Sequence, residues 1–181
     1  PLGMDRTLVR DDPNLVVPGR ADTYTPVAGG RLRINRAWGL ATDLAGMGFV
    51  HSTVEDLARW DANFFDQRVG GPGIRDAMYA RVRTPGGGEH FYASGLVVGR
   101  YRGLRTIYHG GHGGGSSQLI RFPNEQLSVA VLSNRYHTHT DTHGLALEVA
   151  SLFLEDELGA PADDPVPVSE EDLARYAGRY W

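Results

Sequence analysis

Residues 91–134 read FYASGLVVGRYRGLRTIYHGGHGGGSSQLIRFPNEQLSVAVLSN, a succession of β-rich runs divided by turn residues. The runs are Tyr92 to Tyr101, Arg105 to His109, Gln118 to Phe122 and Leu127 to Leu132. Their connections are too short for a parallel crossover, which needs a dozen or more residues, so the strands are expected to be antiparallel neighbours. Downstream, Leu145, Val149, Leu152 and Phe153 recur at helical spacing, and Gly159 and Pro161 are stop signals. A helix from about Thr142 to Leu158 is therefore expected to cover one face of the sheet. The fold class this implies is α+β.

Upstream the texture is different. The first fifty residues are rich in Gly and Pro and hold neither period for long, which predicts loops with short elements. Ser52-Thr53-Val54-Glu55 has the serine-to-glutamate spacing of a reciprocal helix cap. It predicts Ser52 as a cap and a helix over about Thr53 to Phe65, with Val54, Leu57, Ala58, Phe64 and Phe65 on its apolar face. A second helix, roughly Ile74 to Arg81, follows the breaker Gly70-Gly71-Pro72-Gly73, and Thr84 to Gly88 reads as a loop. Residues 160–168, with three prolines and two aspartates, read as a linker, and Ser169 to Asp172 can start another helical turn. Tyr176, Tyr180 and Trp181 close a polar tail without a core of their own. That ending predicts either truncation or a tail that docks back on the sheet.

Composition removes several functions. Net charge is −4 and the arginines are scattered, so there is no basic stripe for a phosphate backbone and no nucleic-acid partner is expected. No run of about 18 apolar residues exists to span a membrane, and Cys is absent, so no thiolate chemistry is available. All 18 cationic side chains are arginine. With no lysine, a lysine base or Schiff base cannot operate from this chain alone. No cofactor is called for, and the compartment stays open.

Several segments, in order, resemble the β-lactamase-related serine hydrolases, which include class C β-lactamases, penicillin-binding proteins, D-aminopeptidases and esterases. Pro1-Leu2-Gly3-Met4 is similar to a segment that lies downstream of the nucleophile in that family. Gly46-Met47-Gly48-Phe49 with Ser52 to Trp60 resembles its glycine turn and following helix; Tyr92-Ala93-Ser94-Gly95-Leu96 resembles one of its strands. His109-Gly110-Gly111 resembles the third catalytic motif, Arg121-Phe122-Pro123 a turn after it, and Val129 to Asn134 the last strand. The resemblance implies a partial β-lactamase/transpeptidase-like fold, with residues 1–159 as the C-terminal part of a catalytic domain. Residues 169–181, through Leu173 to Tyr180, resemble the start of a small β-barrel domain. The abrupt start at Pro1 and this ending imply a chain cut at both ends.

The resemblance further implies hydrolysis of an amide or ester, such as a β-lactam or a D-amino-acid peptide, through a serine acyl-enzyme. Family enzymes use an S-x-x-K motif and a Y-x-N motif, and this chain contains neither, so it is expected to be inactive alone. What it retains is the opposite wall of the active site: His109, Gly110, Gly111 and the N–H of His112 as a candidate oxyanion donor. The missing N-terminal half or a second copy of the chain is the expected partner, besides a small-molecule or peptide substrate. Trp60 is expected in the core, and no role is argued for Trp38.

A rival reading rests on His137, His139, Asp141 and His143. The string resembles the H-x-H-x-D-H loop of metallo-β-lactamase-fold hydrolases and carries zinc-type donors after a strand. It has one extra residue before His143, and no histidine follows. A polar loop with Asp141 or Thr142 as helix cap explains the same residues. A non-catalytic module that binds peptide or cell-wall fragments through the groove wall is a further alternative.

Overall fold

A computed structural model describes residues 1–12, 14–36, 48–136 and 140–160. The linker and barrel-start readings fall on residues 161–181, and Trp38, Gly46, Met47, His137 and His139 also lie outside the described residues.

The centre of the fold is a four-stranded antiparallel sheet in sequence order: β5 (Val97–Tyr101), β6 (Leu104–His112), β7 (Ser116–Phe122) and β8 (Leu127–Ser133). Register runs Val98↔Ile107, Ile107↔Arg121 and Arg121↔Ser128. Arg102 (φ 46°) and Gly103 (φ 90°) form a two-residue turn between β5 and β6. Positive φ at both positions matches the twist of a hairpin. The strands begin and end within a few residues of the expected positions, except that β5 starts at Val97 and Tyr92 makes only an isolated bridge to it.

Side chains alternate across this sheet and give it two cores. On one face Ile120, Phe122 and Val129 pack against Ala146, Ala150 and Leu154, on or just beyond helix α3 (Thr142–Phe153). On the other, Val98 and Ile107 meet Phe64 of α1 (Val54–Asp66) and Tyr79 of α2 (Ile74–Tyr79). Trp60 packs edge-on against Phe64 in this second core, as expected.

Arg121 joins the sheet to the helices. It points away from α3, is 3% exposed, and donates from Nε to Asp61 Oδ1 at 2.6 Å and from a terminal nitrogen to the Tyr79 hydroxyl at 3.1 Å. Its guanidinium lies 3.9 Å from the centre of the Phe64 ring. Burial pushes the Tyr79 phenol up from its ordinary pKa, and the Arg121 charge opposes this.

Three sequence expectations about the helices are corrected. The cap of α1 is Thr53, whose Oγ1 accepts from the Asp56 N–H at 3.3 Å; Ser52 instead bonds the Thr7 hydroxyl at 2.8 Å. The buried positions of α1 are Asp56, Asn63 and Phe64, while Val54, Ala58 and Phe65 are exposed. Polar groups go inside because each finds partners. Asp56 accepts from the Arg6 N–H (2.9 Å), the Thr7 hydroxyl (2.8 Å) and Arg59 (2.6 Å), while Asn63 exchanges bonds with the backbone of Val69. The Asp56 cluster holds the first residues of the chain to α1, next to the short pair β1 (Leu8–Val9) and β4 (Val50–His51).

In α3 the expected stripe holds only at Val149, which packs against the core. Ala146 and Ala150 are fully buried, whereas Leu145, Leu152 and Phe153 are 44%, 79% and 70% exposed. This helix is apolar on nearly all sides, so periodicity alone cannot choose its buried face; the small alanines win because they let the helix backbone approach the sheet. The hairpin β2 (Tyr24–Val27) and β3 (Arg31–Ile34) is attached at the end of β8 through Tyr24 N–H to Asn134 O (2.9 Å) and Tyr136 N–H to Tyr24 O (2.8 Å).

Candidate functional site

The His109 to His112 segment is the second half of β6. Its partner β5 ends at the Val97↔Tyr108 pair, whereas pairing with β7 continues to His112↔Ser116. Leu104 closes the two-residue turn opposite Tyr101, so its backbone groups point at β5, and strand alternation extends this to Thr106, Tyr108, Gly110 and His112. The Gly113 N–H to Gly115 O bond (3.1 Å) on the β7 side agrees with this parity. Gly110 and His112 thus turn N–H and C=O toward the side where β5 has ended.

Side chains divide by the same parity. His109 shares the face of Ile107, toward α1 and α2. His112 is exposed on the opposite face, so only its backbone belongs to the same edge as His109. The His109 ring is exposed, and its Nε2 lies 2.9 Å from the Tyr92 hydroxyl.

Close packing accounts for the glycines. A Cβ on Gly110 would stand 2.7 Å from Gln118 Oε1 and 3.1 Å from Ser117 O, and one on Gly111 would stand 2.6 Å from Ser117 Oγ. At Gly115 a Cβ would collide with the Ser133 carbonyl. The glycine run thus fits a strand pressed against its neighbour.

Of the rival metal loop only Asp141 and His143 fall among the described residues. Asp141 Oδ1 accepts from the Gly144 N–H at 2.8 Å as the α3 cap, and the His143 ring lies 4.7 Å from the Tyr108 ring on the α3 face. Among the described residues no group of three or more His, Cys, Asp or Glu is placed to hold a metal. His137 and His139 are outside those residues.

Elsewhere, the His51 imidazole is held below its ordinary pKa, first by burial and then by the charges of Arg20 and Arg10. Tyr92 is the contact at the site that sequence reasoning missed. It was legible only as part of a strand motif, since nothing in the spacing of residues 92 and 109 links them.

The sequence pattern of the β-lactamase family matches residues 1–152. The chain belongs to the β-lactamase family. Ten solved protein chains match its structure. One is a penicillin-binding protein from Bacillus halodurans, with a TM-score of 0.67 and 15% identity, over 84% of this chain and 45% of that one. At such low identity the likeness shows the fold, which is that of a penicillin-binding protein in part. This β-lactamase-family chain spans less than half the length of that relative. None of the curated proteins matches it. Among the described residues no helix is long and apolar enough to cross a membrane.

Proposed function

We propose that this chain forms one wall of a serine acyl-transfer site whose nucleophile comes from another segment. The supporting observation is the second half of β6, a glycine-floored strand edge beyond the end of β5, with His109 beside it. A substrate amide or ester can line up along the backbone edge of Gly110 and His112 that runs on past the end of β5. The His112 N–H, turned to that edge, is the donor for the oxyanion that forms when a serine attacks the carbonyl carbon. Serine and lysine of S-x-x-K, and the Y-x-N group, have to be supplied from elsewhere, because the chain has no lysine and neither motif.

The occupant of the exposed α3 face is, in this reading, the segment that carries the nucleophile or a second copy of the chain. A helix that is apolar around its circumference is suited to cover on more than one side, and Leu145, Leu152 and Phe153 are left outside here.

The test has two parts. Intact mass after exposure to a β-lactam or fluorophosphonate probe should show no adduct on the chain alone; rapid stoichiometric acylation would refute the absence of a nucleophile. Amide NMR during titration with a β-lactam should move Gly110, Gly111 and His112 selectively. Uniform or absent shifts would remove the groove-wall reading.

A further inference from the structure

We infer that Tyr92 is a positioning residue that fixes the proton of the His109 imidazole on Nδ1, so that His109 offers a donor to an acceptor group of the substrate. The inference rests on the groove-wall reading of His109. Its basis is the 2.9 Å approach of the Tyr92 hydroxyl to His109 Nε2, with the two rings edge-on at 69° and 5.8 Å between centres.

Tyr92 is placed by its backbone rather than by burial of its ring. The residue is 37% exposed, so packing gives little reason for a large aromatic there. Around it the chain is pinned: Val98 N–H donates to Phe91 O at 2.8 Å, Ala93 N–H to Leu96 O at 2.7 Å, and Tyr92 bridges Val97. Gly95, with φ 74°, makes the turn between these contacts. Ala93, next in the chain, is buried in the core with Ile107. The phenol is thereby carried to the end of β5, where β6 runs on past it and His109 projects.

The direction of the bond follows from general acidity. A phenol O–H is a stronger acid than a neutral imidazole N–H, and an imidazole nitrogen is a better acceptor than a phenol oxygen. The favoured arrangement is therefore O–H donating to Nε2, which leaves the ring proton on Nδ1. A free imidazole in water prefers the opposite, Nε2–H form, so the bond has a readable consequence. Among the described residues no other hydrogen bond engages the His109 ring, which leaves Nδ1–H for a ligand. A carbonyl or carboxylate oxygen beside the scissile bond is the chemistry such a donor selects.

Long-range proton–nitrogen NMR of the histidine rings at about pH 8 tests this on the chain as it is. The expected result is a majority Nδ1–H form at His109 and reversion toward Nε2–H in Tyr92→Phe, with His51 and His143 unchanged as internal controls. An Nε2–H majority in the unaltered protein overturns the inference without any variant, and so does a ratio that Tyr92→Phe leaves unchanged. If the tautomer behaves as expected while a β-lactam leaves the Gly110, Gly111 and His112 amides unmoved, the lock on His109 is supported and the groove-wall reading fails separately.

Discussion

Removing the carboxylate of Asp61 tests how the sheet is fastened to its helices. The Asp61→Ala variant leaves the Arg121 guanidinium, 3% exposed, with the Tyr79 hydroxyl and the Phe64 ring but no counter-ion. Breaking a buried ion pair from one side costs about 3–5 kcal/mol, because the remaining charge is desolvated and uncompensated. For a chain of this size 1 kcal/mol corresponds to roughly 2–4 °C, so the melting temperature should fall by about 6–20 °C. Replacing both partners, as Asp61→Leu with Arg121→Met, should recover most of that loss, since apolar side chains of similar volume need no pairing. Urea unfolding of both variants, with the slope checked for constancy, gives the two numbers. A loss below about 1 kcal/mol in Asp61→Ala would mean that Arg121 reaches water, and would refute a buried pair as the fastening.

Other expectations concern separate parts of the fold. Thr53→Ala should lower stability by about 1 kcal/mol through loss of the α1 cap, and Ser52→Ala by less; equal effects in chemical denaturation would argue against the cap assignment. Gly115→Ala should cost about 1–3 kcal/mol, because the Ser133 carbonyl occupies the Cβ position, and a variant as stable as the original would contradict that close approach. Phe153→Ser should leave the melting temperature within about 2 °C while weakening any self-association seen by sedimentation, since the ring is 70% exposed; strong destabilisation would show that the ring is buried after all.

A further prediction concerns acid. Burial works to raise the Asp56 pKa, but bonds from the Thr7 hydroxyl, the Arg6 N–H and Arg59 outweigh it and hold it below the ordinary value of 3.8. Its stabilisation is therefore fully present above that value and is lost as pH falls through the lower folded value. Hydrogen exchange at Arg6 should accelerate in that window after correction for intrinsic rates, and Thr7→Val should move the window upward. An acid response independent of Thr7 would dissociate this carboxylate from the start of the chain.

The site was legible from the sequence in unequal parts. His109, Gly110 and Gly111 could be picked out by resemblance, and the short connections between β-rich runs required an antiparallel sheet. The faces of His109 and His112 follow from strand register, which depends on where the Arg102–Gly103 turn closes. Asp56 illustrates the harder case: its helical position invites a solvent-facing reading, and besides Arg59 on the same helix its burial depends on Arg6 and Thr7 at the start of the chain. The same holds for Arg121, which as a charged residue between Ile120 and Phe122 reads as the outward position of a strand.

By itself, then, the sequence determined the order of the sheet strands, their antiparallel pairing, the helix that follows, and the absence of lysine and of the S-x-x-K and Y-x-N patterns, because these depend on local pattern and composition. Tertiary structure alone decided which side of α3 is buried, which polar groups of α1 go inside, and that Tyr92 meets His109. In each, burial of a polar group or choice of an apolar face depends on a partner that local periodicity does not encode, whether six residues away, as Val69 is from Asn63, or far along the chain.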